Sequence, residues 1–157
     1  MLINYRKEML HDSTLSEFRD PVGAVTAGTL LTLRFRTRLE NVQGVYLFLF
    51  GEGRREEYLL QQSDEYWQVQ ISAPVVSGVY WYYFTVKVGG KLCYYGTGGG
   101  RTGGMGCVYS APPPAYQITV YDPGFEVPAW FQKSVMYQIF PDRFRRSNDQ
   151  TADTGIE

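Results

Sequence analysis

From about residue 8 to residue 121 the chain alternates apolar and polar residues in short runs, and no stretch repeats with a helical period. Leu31, Leu33 and Phe35 interleave with Thr32, Arg34 and Arg36, which predicts a strand buried on one face. Residues 45–50 are apolar at both parities and suit a central strand. Tyr58, Leu59 and Leu60 form a short strand candidate. Trp67, Val69 and Ile71 alternate with Gln68 and Gln70 until Pro74 ends the run. Gly78 opens the longest strand, residues 79–88, and Gly89-Gly90 supplies a hairpin turn into residues 91–95. Residues 116–121 close the series.

Seven or eight short strands at this spacing predict an all-β domain, a two-sheet β-sandwich of immunoglobulin-like type, over residues 1–121. Pro123 and Pro128 restrict the backbone that follows, so 122–133 reads as a linker. The pattern changes again over 134–157. Residues 135–140 are an apolar run too continuous for a half-exposed strand, as expected of a strand covered on both faces in a parallel sheet or barrel. Pro141 ends it, and Asp142 and Arg143 put charges at its C-terminal mouth. Thirteen residues follow Phe144, whereas a (β/α)8 barrel takes about 250. The expectation is therefore an isolated first strand of a truncated barrel.

Composition narrows the function classes. Fifteen basic and sixteen acidic residues give a net charge of −1, and no basic stripe suits nucleic acid. Arg54-Arg55 and Arg145-Arg146 read as solvated loop charges. No run approaches a membrane span and the N-terminus shows no secretion signal, so a cytoplasmic address is expected. Cys93 and Cys107 are the only cysteines and His11 the only histidine, a poor set for zinc. The cysteines allow a disulfide, but without an export signal two free thiols are favoured. No cofactor is expected. Gly98-Gly99-Gly100-Arg101-Thr102-Gly103 matches the dinucleotide fingerprint in letters, yet Cys107, Tyr109 and Pro112-Pro113-Pro114 deny it the helix a pyrophosphate needs.

Tyr137-Gln138-Ile139-Phe140-Pro141-Asp142-Arg143-Phe144 resembles the first barrel strand of the α-amylase family of glycoside hydrolases. His11-Asp12-Ser13 and Arg19-Asp20-Pro21-Val22-Gly23-Ala24-Val25 are similar to the opening of the N-terminal domain of neopullulanases, cyclomaltodextrinases and maltogenic amylases. Gly103-Gly104-Met105-Gly106 and Tyr116-Gln117-Ile118-Thr119-Val120-Tyr121 resemble its last loop and strand, and Val127-Pro128-Ala129-Trp130 its linker. That domain is classed as carbohydrate-binding module family 34, with an early-set immunoglobulin-like fold. The resemblance implies a parent enzyme that cleaves α-glucosidic bonds with retention, through two carboxyl groups about 5–5.5 Å apart. Those groups come from later barrel strands, so no catalytic residue is expected in this chain. Tyr137, Gln138, Asp142 and Arg143 are expected to be structural. Asp142 would pair with a basic neighbour and organise the strand end. The loop Arg145-Arg146-Ser147-Asn148-Asp149 is the wrong chemistry for calcium, and no metal is expected.

The candidate binding residues lie on the aromatic strand. Tyr80, Tyr82, Phe84, Val86 and Val88 share one face and are assigned to the core, which leaves Trp81 and Tyr83 outward. Tyr94 and Tyr95 face opposite sides of the next strand, so one of them should join Trp81 and Tyr83. Flat aromatic faces suit the C–H patches of an α-glucan or maltooligosaccharide, and Trp81, Tyr83, Tyr94 and Tyr95 are the proposed contacts. The same rings could instead pack on the parent's catalytic barrel or build a homo-oligomer. The resemblance implies a domain that helps build a dimer and shapes its active-site entrance. A stand-alone carbohydrate-binding or protein-interaction module is the alternative. Trp67 is expected in the core, and His11 in a local hydrogen bond.

Overall fold

The computed structural model describes residues 8–99 and 103–140. These divide into two compact units between Phe125 and Glu126. The first is a two-sheet β-sandwich, and among the described residues it has twelve strands.

In the five-stranded sheet, β1 (Met9–Leu10) and β2 (Arg19–Asp20) pair antiparallel with one edge of β4 (Leu30–Thr37). On the other edge β4 pairs with β8 (Tyr66–Ser72), which carries β7 (Gln61–Ser63). The seven-stranded sheet is organised around β9 (Gly78–Val88). One edge of β9 pairs with β5 (Val42–Gly51), and β5 with β6 (Arg54–Leu59). The opposite edge is shared. Residues 84–88 pair with β10 (Lys91–Thr97), while residues 78–82 pair with β12 (Tyr116–Tyr121). β11 (Gly106–Tyr109) extends the sheet beyond β10, and β3 (Val25–Thr26) lies parallel on β12.

Alternation explains the layering. Leu31, Leu33 and Phe35 of β4 are fully buried against Val45, Leu47 and Leu49 of β5 and Tyr82, Phe84 and Val86 of β9. Phe35 joins the layers, 5.0 Å from the Phe84 ring and 5.2 Å from Tyr95. Burying each such ring contributes about 1.5–3 kcal/mol. Gly89 and Gly90 turn β9 into β10 with φ of 56° and 74°, the left-handed conformation a two-residue hairpin requires. Leu60, buried and donating its backbone N–H to the Val45 carbonyl, is where the chain leaves one sheet for the other.

Each of the seven long strands overlaps an expected one, although β6 begins four residues before the candidate at 58–60 and ends before Leu60. The other five are two to four residues long, too short for a period-two pattern to declare itself. Arg54 and Arg55 correct the reading as loop charges, since both lie in β6. Arg54 pairs with Glu56 at 2.7 Å along the same face of that strand, and Glu56 also accepts from the Tyr58 hydroxyl.

After β12 the chain makes a side-chain-supported turn. Asp122 accepts from the backbone N–H groups of Gly124 and Phe125, and the Phe125 ring meets Tyr121 edge-on at 6.4 Å. In the second unit, Pro128 leads into a single helical turn, α1 (Ala129–Gln132). Proline suits that entry because its missing N–H lies where a helix leaves donors unused. Residues 134–140, with Tyr137 and Gln138, are in no regular secondary structure. The expected barrel strand is thus not formed, because a parallel strand takes all its hydrogen bonds from neighbours. Asp142, Arg143 and the 145–149 loop lie outside the described residues.

Candidate functional site

The outward side chains of β5, β9 and β10 share one surface of the seven-stranded sheet. Strand register sets their rows. Phe50 lies opposite Trp81, Phe48 opposite Tyr83, and Tyr46 opposite Thr85, which in turn lies opposite Tyr94. Phe48 and Tyr83 are 5.1 Å apart at their ring centres, Phe48 and Phe50 5.8 Å, and Phe50 and Tyr83 6.2 Å. Tyr83 also reaches Tyr94 at 6.2 Å. Tyr83 therefore stands at the junction of every ring contact on this face except that between Phe48 and Phe50. Trp81 is 36% exposed, while Tyr46, Phe48, Phe50, Tyr83 and Tyr94 are half-buried against one another.

Two depressions open on this surface. One, of about 430 Å³, lies among Tyr46, Phe48, Tyr83 and Tyr94, with Glu57 and Lys87 beside it and Thr85 in its floor. The other, of about 330 Å³, lies between Phe50 and Trp81 on one side and Pro113, Pro114 and Ala115 on the other. Partial burial, then the neighbouring Tyr94 and Glu57, raises the Tyr83 hydroxyl above its usual pKa, so it stays a neutral donor and acceptor.

Trp81 and Tyr83 are thus outward as the alternation of β9 predicts, and Tyr94 joins them. Tyr95 is a correction to the expected contacts: it is 1% exposed and belongs to the core. Adjacent residues of a strand face opposite layers, so the two tyrosines could not share a surface. Trp67 packs on the core edge as expected. Tyr46, Phe48 and Phe50 were missed, because an apolar run reads as buried on both faces. A signal was present nonetheless. Val45, Leu47 and Leu49 keep one parity aliphatic, while the other parity is wholly aromatic.

A second polar constellation is sealed inside the sandwich. His11 is fully buried. Its Nδ1 donates to the Arg34 carbonyl at 2.7 Å, so Nε2 is the bare nitrogen and accepts from the Tyr82 hydroxyl at 3.0 Å. The Tyr95 and Tyr116 hydroxyls approach the His11 backbone carbonyl at 3.3 and 3.4 Å. Arg19, also buried, donates to the carbonyls of Gln117 and Gly23. Desolvation lowers the His11 pKa from 6.5 to about 4. A group so enclosed cannot meet a substrate. It braces strands of both sheets through partners distant in sequence, which corrects the expectation of a local hydrogen bond.

Cys93 and Cys107 are both free, and Cys107 faces Gly96 across β10–β11. Gly103 and Gly104, with φ near 80°, lead into β11, so the helix a pyrophosphate needs does not follow the last glycine of the fingerprint letters. Among the described residues no group of three His, Cys, Asp or Glu could hold a metal, and no helix is long and apolar enough to cross a membrane.

Fold and surface together define a class of domain, an immunoglobulin-like sandwich with an aromatic sheet face. Its relatives specify it further. The chain is homologous to a segment of amylopullulanases, as its resemblance to the α-amylase family implies. It is 34% identical over 149 residues to the Thermoanaerobacter thermohydrosulfuricus enzyme, covering 89% of this chain and 10% of that protein. Those of Thermoanaerobacterium thermosulfurigenes and Thermoanaerobacterium saccharolyticum are 32% and 34% identical, with 8% and 12% of their lengths covered. The chain thus spans about a tenth of the length of these curated relatives. A solved cyclomaltodextrinase shares the fold, with a TM-score of 0.55 and 20% identity over 87% of this chain and 24% of that one. No family model matches the chain.

Proposed function

We propose that this chain is the accessory β-sandwich of an α-glucan hydrolase and that its aromatic sheet face holds α-glucan. The carrying observation is the contiguous surface of Phe48, Phe50, Trp81, Tyr83 and Tyr94, flanked by polar groups. A pyranose ring has apolar C–H faces and a hydroxyl edge. Stacking on an aromatic ring buries the first, and Glu57, Lys87 and the tyrosine hydroxyls serve the second. Homology to amylopullulanases supports glucan as the ligand class.

Isothermal titration of the chain with a cyclodextrin tests this. Binding is expected at millimolar ligand or below, and Tyr83→Ala should weaken it about tenfold, the effect of one lost aromatic stack. Absence of heat at millimolar ligand rejects glucan binding. Leu59 and Leu92, 59% and 49% exposed at the border of the same face, favour a second reading. In it the surface joins a second copy or the parent's catalytic body, and a heatless chain that sediments as a dimer would support it.

The retaining carboxylate pair belongs, in this proposal, to a catalytic barrel outside this chain. The purified 157 residues should therefore release no reducing sugar from pullulan or cyclodextrin. Turnover above a heat-treated control would contradict this.

A further inference from the structure

We infer that the aromatic face is a two-seat track, selective for a stretch of several linked glucose units over a single ring or a disaccharide. This rests on the glucan reading above and adds to it the form of the ligand.

The two depressions are parts of one path. Phe50 lines the first and touches Tyr83, which lines the second, and Tyr83 leads on to Tyr94. Trp81 and Thr85 are four residues apart on β9, and Tyr94 lies across from Thr85 on β10. At the rise and spacing of paired strands, Trp81 and Tyr94 are about 14 Å apart. A single pyranose ring covers one aromatic face. Filling both seats at once therefore takes a chain of several units.

A wall fixes the course of that path. Gly96 points outward from β10, since its neighbour Tyr95 is buried. A Cβ there would lie 2.3 Å from the Pro114 carbonyl oxygen and 2.6 Å from the Pro113 ring, so the absent side chain is the seat of these prolines. The Thr97 N–H donates to the same carbonyl at 2.9 Å and pins it. Pro113 and Pro114 thus stand beside Trp81 where β9 changes partner from β12 to β10. A ligand leaving the Trp81 seat runs along β9 toward Tyr83. Bordering charges are of both signs, Glu57 against Lys87, which suits an uncharged polyol over an ionic polymer.

The test is titration of the whole chain with maltose and with maltohexaose, repeated on Trp81→Ala and Tyr94→Ala. Both side chains are on the surface, and an unchanged melting curve confirms that each variant is folded. Maltohexaose should bind at least about tenfold more tightly than maltose, and either substitution should bring the two affinities within about threefold. Equal affinities for the two sugars in the unaltered chain, or a ratio untouched by either substitution, would overturn the track while leaving glucan binding in place. Failure of both sugars to bind at millimolar concentration would overturn the track and the reading beneath it together.

Discussion

Gly106→Ala should destabilise the sandwich by at least about 3 kcal/mol, the upper range of overpacking in a core with nowhere to give. A Cβ at this position would lie 2.0 Å from the Tyr116 hydroxyl oxygen, 2.3 Å from the Gly96 carbonyl oxygen and 2.4 Å from the Tyr95 ring. None of these can retreat cheaply. Both tyrosine hydroxyls are tied to the His11 backbone, and the Gly96 carbonyl accepts from Tyr116 at 3.3 Å. Moving Gly96 would also disturb the prolines seated on it. Urea denaturation should show a lower midpoint with an unchanged slope. Gly99→Ala is the matched control, because nothing lies within 4 Å of its Cβ position. Its stability should stay within about 0.5 kcal/mol. Equal stability of Gly106→Ala and the parent chain would mean that the strands β10 and β11 do not pack this closely on Tyr116.

The second large effect is a loss of stability in mild acid. His11 takes up a proton near pH 6.5 when exposed, and in the folded chain only near pH 4. Between those values the unfolded chain binds more protons, so stability falls as the pH is lowered. No penalty is present well above pH 6.5, and it is complete below about pH 4, where it reaches about 3 kcal/mol. Between pH 6 and pH 5, before most carboxylates titrate, the slope should be about 1.2 kcal/mol per pH unit, a little under that of one whole proton. The cause is chiefly the loss of solvent around the ring, opposed by the bond to the Arg34 carbonyl and the nearby Asp12, and reinforced by Arg19. His11 is the only histidine, so its imidazole resonances can be followed without assignment ambiguity. A titration midpoint near 6.5 in the folded chain would refute the enclosure of this ring.

How much of this could be read from the residues depended on whether the information was local. The long strands were legible, because Leu31, Leu33 and Phe35 or Tyr82, Phe84 and Val86 need only their own alternation to declare a buried face. The same logic found Trp81 and Tyr83. It could not choose between Tyr94 and Tyr95, since both parities of β10 mix apolar and small residues. Register across strands was out of reach, and register is what brings Phe48 and Phe50 beside Tyr83. The Gly106 packing depends on how β10, β11 and β12 lie together, and the His11 constellation unites residues as distant as His11 and Tyr116, which no local pattern can announce. Residues 135–140 show the converse, a run whose composition suits a strand but which pairs with no strand among the described residues.

The outermost strand of the aromatic sheet has a bearing on how the protein behaves in a crowded solution. β6 pairs with β5 alone among the described strands, and it places Arg54, Arg55, Glu56 and Glu57 in succession along an open backbone edge. A foreign segment seeking to add on would have to match both signs in order, or strip water from four ions without return. The charged run thereby guards this edge against an added strand, the first step in seeding fibrils.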